Sequence, residues 1–152
     1  MTPGELREEI AIELEAIAII IEELLSLQQD LANRVPTTRE VTAASAFLAQ
    51  FYNGVENILK RISLFHGVPL PQGATWHVEL FQRFASPYPG LPQLFDDRLA
   101  ATLSPYRRFR HVVFYSYSFQ LDWNRMAEGV RSVQTVFEAF KATLLMYLQT
   151  FG

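Results

Sequence analysis

The sequence predicts an all-α fold, an up-and-down bundle of about five helices that occupies residues 1–152 as a single domain. Two observations support this prediction. Apolar residues recur at steps of three and four through most of the chain, which is the spacing of one helix face. Proline- and glycine-rich segments divide that pattern into separate stretches, and no internal repeat or change of composition marks a second domain.

The first two helices are predicted by long apolar stripes. The first stripe consists of Leu6, Ile10, Leu14, Ile17, Ile21, Leu24, Gln28 and Leu31. Pro36 ends this helix, and Thr37 or Thr38 can cap the next one. The second stripe consists of Val41, Ser45, Leu48, Phe51, Val55, Ile58, Ile62 and Phe65. Since a short connection joins the two stripes, the helices should form a hairpin.

The remaining helices are shorter or less regular. A third is predicted over Thr75 to Ala85, between the segments GVPLPQG and SPYPGLP. A fourth is predicted from about Leu94, and Asp122 can cap a fifth that begins at Trp123. Val112 to Phe119 alternates like an edge strand, but no second strand is available to pair with it. A helix is therefore predicted there too.

Composition excludes several classes of protein. The chain contains no cysteine, which excludes disulfides, thiolate nucleophiles and zinc–thiolate sites. A formal charge of -3 argues against wrapping nucleic acid, so any such contact should be local. The three histidines contain no i, i+4 pair, which argues against a metal site. No cofactor is expected.

The beginning of the chain and its apolar runs bear on location. Glu5, Glu8 and Glu9 stand where a secretory signal would need basic residues. The longest apolar run, Ala16 to Ile21, is far shorter than the roughly 18 residues that span a bilayer. We therefore expect a cytoplasmic protein with no membrane partner.

The segment from Tyr106 to Trp123, YRRFRHVVFYSYSFQLDW, concentrates the groups best suited to chemistry. Arg107, Arg108 and Arg110 lie beside His111, and the hydroxyls of two tyrosines and a serine follow. A guanidinium group suits phosphate because it donates two hydrogen bonds and never loses its charge. The segment therefore predicts a binding site for a phosphate ester.

Helical spacing distributes these side chains over two faces, because residues three, four and seven apart share a face. One face carries Arg108, His111 and Tyr115. The other carries Arg107, Arg110, Phe114 and Tyr117. Both faces cannot be buried, so one should meet a partner or ligand. The alternative is that the arginines only form surface salt bridges with acids such as Asp96, Asp97 or Glu128.

Three blocks of this sequence resemble the signature blocks of the HepT-like members of the HEPN superfamily. They are Tyr52 to Leu64 (YNGVENILKRISL), Trp76 to Phe81 (WHVELF) and Phe109 to Trp123 (FRHVVFYSYSFQLDW), in the family's order. The resemblance implies a helical bundle that forms a homodimer and is often encoded beside a minimal nucleotidyltransferase antitoxin. Active members cut RNA without a metal.

The family's motif is an Arg, then four to six residues, then a His, commonly followed two positions later by a Tyr. The resemblance places the Arg at Arg110 and the Tyr at Tyr117, so Tyr115 stands where the catalytic His belongs. Tyrosine, with a pKa of about 10, is a poorer base near neutral pH than histidine at about 6.5. Nuclease activity should therefore be weak or lost, unless His111, one turn from Tyr115, substitutes.

Two functions remain open at this point. The first is a metal-independent endoribonuclease toxin, with Arg110 stabilising charge on the phosphate and His111 or Tyr115 acting as acid or base. The second is a non-catalytic dimeric module that partners a minimal nucleotidyltransferase or binds nucleotide or RNA. The resemblance also implies that such a partner attaches AMP to the motif tyrosine, here Tyr117.

For several other residues the sequence favours a structural or supporting role. Trp76 and His77 follow a loop, where a tryptophan usually anchors the loop to the core. His66 ends a helix, where a cationic ring favours the negative end of the helix dipole. Three residues at one-turn spacing on the second helix could reach the motif helix across the bundle. They are Asn53, Glu56 and Asn57.

Overall fold

The computed structural model describes residues 1–151, which form an all-helical bundle. The α-helices are α1 (Pro3–Asp30), α2 (Thr38–Phe65), α3 (Trp76–Ala85), α4 (Asp97–Tyr115) and α5 (Trp123–Gln149). A short 3₁₀-helix, Ser118–Gln120, connects α4 to α5. The predicted all-α bundle of about five helices is confirmed.

The hairpin of α1 and α2 is the largest unit of the bundle. Thr37 caps α2 by accepting a hydrogen bond from the Glu40 backbone, and the Glu40 side chain accepts one from the Thr37 backbone in return. Arg34 pairs with the same Glu40 carboxylate, which lowers its pKa to about 2. Gly54 brings the two helices together, since a Cβ there would lie 2.5 Å from Cγ1 of Ile17.

Helix α2 is the centre of the structure, because it packs against every other α-helix. Side chains on most of its circumference are therefore buried, including Phe51, Tyr52, Val55, Ile58 and Leu59, each 0% exposed. A polar residue on the same helix must find its partners inside the protein. This position of α2 determines the candidate site described below.

Helix α4 begins later than the sequence predicts. Asp96 is its N-cap and accepts a hydrogen bond from the Leu99 backbone, so the helix starts at Asp97 rather than near Leu94. Leu94 and Phe95 are buried all the same, as loop residues, and the Phe95 backbone N–H donates to the Phe84 carbonyl at 3.0 Å. Because Leu94 and Phe95 are buried apolar residues, their positions in the sequence resemble those of a helix face.

The end of α4 also differs from the prediction. The helix stops at Tyr115, Ser116 is extended, and the 3₁₀-helix follows. The helical prediction for Val112 to Phe119 therefore holds only for its first half. Helix α5 begins at Trp123 with Asp122 as its cap, as the sequence predicts.

The C-terminal ends of α2 and α5 are tied together. Nε2 of His66 lies 2.6 Å from the Tyr147 hydroxyl, and the Arg7 guanidinium donates to the Leu148 carbonyl at 2.9 Å. Burial lowers the pKa of His66, so a cationic ring is disfavoured there, contrary to the sequence interpretation. Among the described helices, none has the length and apolar character that crossing a membrane requires.

Candidate functional site

Arg110 points from α4 towards the centre of the bundle. Its Nε donates a hydrogen bond to Oδ1 of Asn53 and lies 3.7 Å from Oε1 of Glu56. Asn53 and Glu56 are one turn apart on α2, so both face α4, as the sequence predicts. Asn57 does not, because its amide donates to Glu13 on α1 at 3.4 Å. The motif arginine is thus fixed by two side chains of the central helix.

His77 joins this cluster from the first turn of α3. Its Nδ1 lies 2.6 Å from Oε2 of Glu56, and its Nε2 lies 3.4 Å from a terminal nitrogen of Arg110. The Trp76 ring lies against it, with the centroids 3.5 Å apart. Sequence reasoning gave His77 no role beyond the loop anchor. The Glu56 and His77 pair spans 21 positions on two helices, so no local spacing could have revealed it.

A cavity of about 430 Å³ opens beside this cluster. It is called the arginine cavity here, and its polar wall consists of Tyr52, Glu56, His77, Arg107, Arg108, Arg110 and His111. Arg107 and Arg110 are half-buried, whereas Arg108 and His111 are exposed at its mouth. The three arginines and the histidine that the sequence singled out therefore share one cavity, although they lie on two faces of α4.

Two buried donors in this cavity have no hydrogen-bond partner among residues 1–151. They are the hydroxyl of Tyr52 and Nε of Arg107. Burial raises the pKa of Tyr52, and the Glu56 carboxylate raises it further, so the phenol keeps its proton. A buried donor without a partner costs stability. Both residues line the arginine cavity, but the two donor atoms themselves are closed off from solvent.

A second cavity of about 430 Å³ adjoins the first and shares His77, Arg110 and His111 with it. It is called the histidine recess, and its functional side chains are Trp76, His77, Arg110, His111, Phe114 and Tyr115. The rings of His111 and Tyr115 lie 4.6 Å apart, and Tyr115 is 79% exposed. The recess therefore brings two imidazoles and the motif arginine to one place.

Tyr117 lies apart from both cavities, beyond the end of α4. Its ring stacks on Phe119, with centroids 5.6 Å apart and planes 5° from parallel. Tyr117 and Phe119 are exposed, as are Phe114 and Tyr115. These four side chains form the aromatic patch, which continues outward from the histidine recess. Helical spacing predicts that Tyr117 shares a helix face with Arg110, but α4 ends at Tyr115, so Tyr117 does not lie on that face.

The alternative that the arginines only form surface salt bridges with Asp96, Asp97 or Glu128 is not what the described residues show. Of the three, Arg110 forms an ion pair with Glu56, a buried acid, and Glu128 pairs with Arg131 instead. Asp96 serves as a helix cap. In residues 1–151 no group of three or more His, Asp or Glu side chains is placed to hold a metal ion.

Comparison with known protein families supports a shared origin for these elements. A family model described as "HepT-like protein" matches residues 43–151. The match covers α2 to α5 except the first residues of α2, and it includes both cavities. Searches of curated proteins and of solved structures find no significant match. Because the matching region is well over half of the 152 residues, this chain belongs to the HepT-like protein family.

Proposed function

We propose that this protein is a metal-independent endoribonuclease, the toxin of a toxin–antitoxin system, and that its substrate binds in the arginine cavity. The observation that carries this proposal is the fixed position of Arg110. Asn53 and Glu56 hold its guanidinium between the arginine cavity and the histidine recess. The plane of its donors is therefore set before a ligand arrives, which is what stabilising charge on a phosphate requires.

The charge distribution supports an RNA phosphate as the ligand. Arg107 and Arg108 add positive charge to a protein whose net charge is -3, so attraction to a polyanion is confined to this region. The aromatic patch offers faces on which unpaired bases can stack.

Catalysis by this site is slow in our proposal. Tyr115 occupies the position that the motif gives to histidine, and a neutral phenol is a weak base for the 2′-hydroxyl of RNA. Loss of the general base at position 115 costs on the order of 10²- to 10⁴-fold in rate unless another group of the site takes its place. His111 contacts Tyr115 and lines both cavities, so it is the nearest imidazole on the motif helix.

The proposal includes the partners that the family suggests. The aromatic patch is an exposed apolar surface, which suits the interface of a homodimer. The Tyr117 hydroxyl belongs to a ring that is 71% exposed, so a minimal nucleotidyltransferase could attach AMP to it in the cytoplasm. The added anion would repel the phosphates of RNA at the aromatic patch.

A second function is favoured by two observations. The Arg110 guanidinium already donates to Asn53 and pairs with Glu56, which leaves fewer of its N–H groups for a ligand. In addition, the four side chains of the aromatic patch are exposed. Both features suit a non-catalytic dimeric module that binds a nucleotidyltransferase, nucleotide or RNA. In that case the buried cluster would serve stability, and the patch would serve binding.

Cleavage of labelled RNA in the presence of EDTA tests the proposed function. We expect slow cleavage by the wild-type protein and none by Arg110→Ala. Arg131→Ala is a matched control, because Arg131 is an exposed arginine paired with Glu128, away from both cavities. Absence of cleavage in the wild-type protein, with RNA binding retained, would favour the non-catalytic module.

A further inference from the structure

We propose that His77, on α3, is the general base of this site and that His111, on α4, is its general acid. The inference rests on the proposed ribonuclease function, and it assigns a catalytic role to a residue that lies outside the family motif. The protein would then have moved its base from position 115 to a different helix.

The hydrogen bonds of His77 determine where its proton lies. The Glu56 carboxylate oxygen, 2.6 Å from Nδ1, accepts a hydrogen bond from the N–H at that nitrogen. On the other side of the ring, Nε2 faces a guanidinium nitrogen of Arg110, which can only donate. A proton on Nε2 would point at the N–H groups of a cation. The neutral tautomer with a lone pair on Nε2 therefore fits both neighbours. That lone pair accepts a hydrogen bond from Arg110 in this structure, and it can accept a proton once the guanidinium turns to a phosphate.

The position of this lone pair suits the reaction. Nε2 of His77 is 3.4 Å from the terminal nitrogen of Arg110. A phosphate held by that guanidinium places its ribose within reach of Nε2 after a small movement. His111 lines the same histidine recess from α4. The two imidazoles thus come from different helices and line one recess together with Arg110, which suits a base and an acid that act on one phosphate.

The proton and the bonds balance without any further reactant. The 2′-oxygen attacks the phosphorus while its proton passes to Nε2 of His77. The bond from phosphorus to the 5′-oxygen breaks, and protonated His111 gives its proton to that oxygen. The products are a 2′,3′-cyclic phosphate and a 5′-hydroxyl. Proton exchange with water then returns both imidazoles to their starting forms.

Glu56 is a positioning residue in this scheme. Its side chain is 4% exposed and touches both His77 and Arg110. A carboxylate beside a base fixes the tautomer and orientation of the ring and stabilises the imidazolium that forms. Burying a carboxylate is costly unless it is paired. The buried Glu56 carboxylate contacts both the proposed base, His77, and the phosphate-binding arginine, Arg110. Its burial therefore serves to position these two groups.

The test compares cleavage of a labelled single-stranded oligoribonucleotide, in EDTA, by the wild-type protein and His77→Ala. We expect the rate to fall on the order of 10²- to 10⁴-fold in His77→Ala, with RNA affinity by fluorescence anisotropy close to wild type. Added imidazole should restore part of the rate to His77→Ala and none to Arg110→Ala. The product of the wild-type protein should carry a 2′,3′-cyclic phosphate by mass spectrometry.

The control is His66→Ala, since His66 lies outside both cavities and contacts Tyr147. Wild-type cleavage by His77→Ala would overturn the inference, and so would a loss that imidazole does not restore. If His77→Ala fails to fold, His77→Gln keeps an amide for Glu56, and it should fold and still cleave poorly; wild-type cleavage by it would also overturn the inference. Cleavage that survives in His77→Ala but not in Arg110→Ala leaves the proposed function standing. No cleavage by the wild-type protein overturns both.

Discussion

Glu56 on α2 and His77 on α3 are joined by a hydrogen bond of 2.6 Å in a place where Glu56 is only 3% exposed. The same carboxylate lies 3.7 Å from Arg110. One buried acid therefore connects three helices, α2, α3 and α4. Its two neighbours are the side chains to which we assign phosphate binding and proton transfer.

Removing this acid should destabilise the fold. In Glu56→Ala the half-buried guanidinium of Arg110 loses its carboxylate, and breaking a buried pair in this way costs about 3 kcal/mol. Urea denaturation followed by circular dichroism measures the free energy of unfolding. Glu128→Ala is the control, because Glu128 is exposed and pairs only with Arg131 and Ser132, so its removal should leave that free energy little changed. Equal stabilities for the two variants would mean that the buried cluster contributes nothing.

The sequence predicts the groups of the site that lie close together along the chain, and misses the others. Arg107, Arg108, Arg110 and His111 follow one another, so composition and helical spacing identify them. His77 comes from α3, and what places it beside Glu56 is the packing of two helices. That packing depends on the loop geometry between α2 and α3, which no periodicity encodes.

The helix boundaries show the same contrast between local signals, which the sequence predicts, and effects of packing, which it does not. A cap is a local signal, so the sequence predicts Asp122 as one cap and Thr37 or Thr38 as another; the structure confirms Asp122 and shows that Thr37 is the second. Leu94 was wrongly placed in α4 because an apolar residue buried in a loop has the same appearance in sequence as one on a helix face. Where Asp96 offers a stronger cap, the helix begins there.

Two glycines should respond to alanine in opposite directions. At Gly54 a new Cβ would lie 2.5 Å from Cγ1 and 2.7 Å from Cδ1 of Ile17, a buried side chain with little room to move. Overpacking of this kind costs about 1–3 kcal/mol, more than the roughly 1 kcal/mol that alanine gains in helix propensity. Gly54→Ala should therefore have a lower melting temperature than the wild-type protein.

Gly129→Ala is the matched control on α5. Its Cβ would meet Tyr106 at 3.7 Å and Leu48 at 4.0 Å, which are ordinary contacts. The substitution should therefore raise the stability by about 0.4–1 kcal/mol. Melting temperatures that shift in the same direction for both variants would contradict the close approach of α1 and α2 at Gly54.

Stability should fall in mild acid through His66. Burial lowers the pKa of His66 in the folded protein, whereas the unfolded chain keeps a value of about 6.5. As the pH falls through about 6.5, the unfolded chain binds a proton that the folded protein resists, so folding stability is lost. At higher pH both states are neutral, and this contribution to the pH dependence disappears.

His66→Phe isolates this effect. The difference in unfolding free energy between pH 7.5 and pH 5.5, measured by urea denaturation, should be smaller in His66→Phe than in the wild-type protein. The carboxylates titrate alike in both, so the comparison cancels them. Tyr147, whose pKa burial raises to about 12, stays protonated across this range. An unchanged pH dependence would show that His66 is as easily protonated in the folded state as in the unfolded one.

RNA affinity should depend on Arg108 in a manner that salt reveals. Arg108 is exposed at the mouth of the arginine cavity, so its charge is available to a phosphate. Each phosphate contact on a single strand contributes about 0.7 to the slope of log affinity against log salt concentration. Arg108→Ala should lower the affinity and reduce that slope by about this amount in fluorescence anisotropy titrations. Arg131→Ala should change neither, and an equal loss in both variants would indicate a non-specific effect of charge.

A substitution at position 115 tests whether an imidazole there can replace His77 as the general base. Tyr115 lines the histidine recess with His77 and His111, so Tyr115→His adds a third imidazole to that recess. If His77 already accepts the proton, this addition should raise the cleavage rate only modestly in the wild-type background. In a His77→Ala background it should restore much of the lost rate, because the site then has no other base.

The ratio of rates with and without Tyr115→His is therefore expected to be larger when His77 is absent, and Tyr115→Phe should show no such effect in either background. Equal ratios in the two backgrounds would mean that the residues act independently, which two interchangeable bases cannot do.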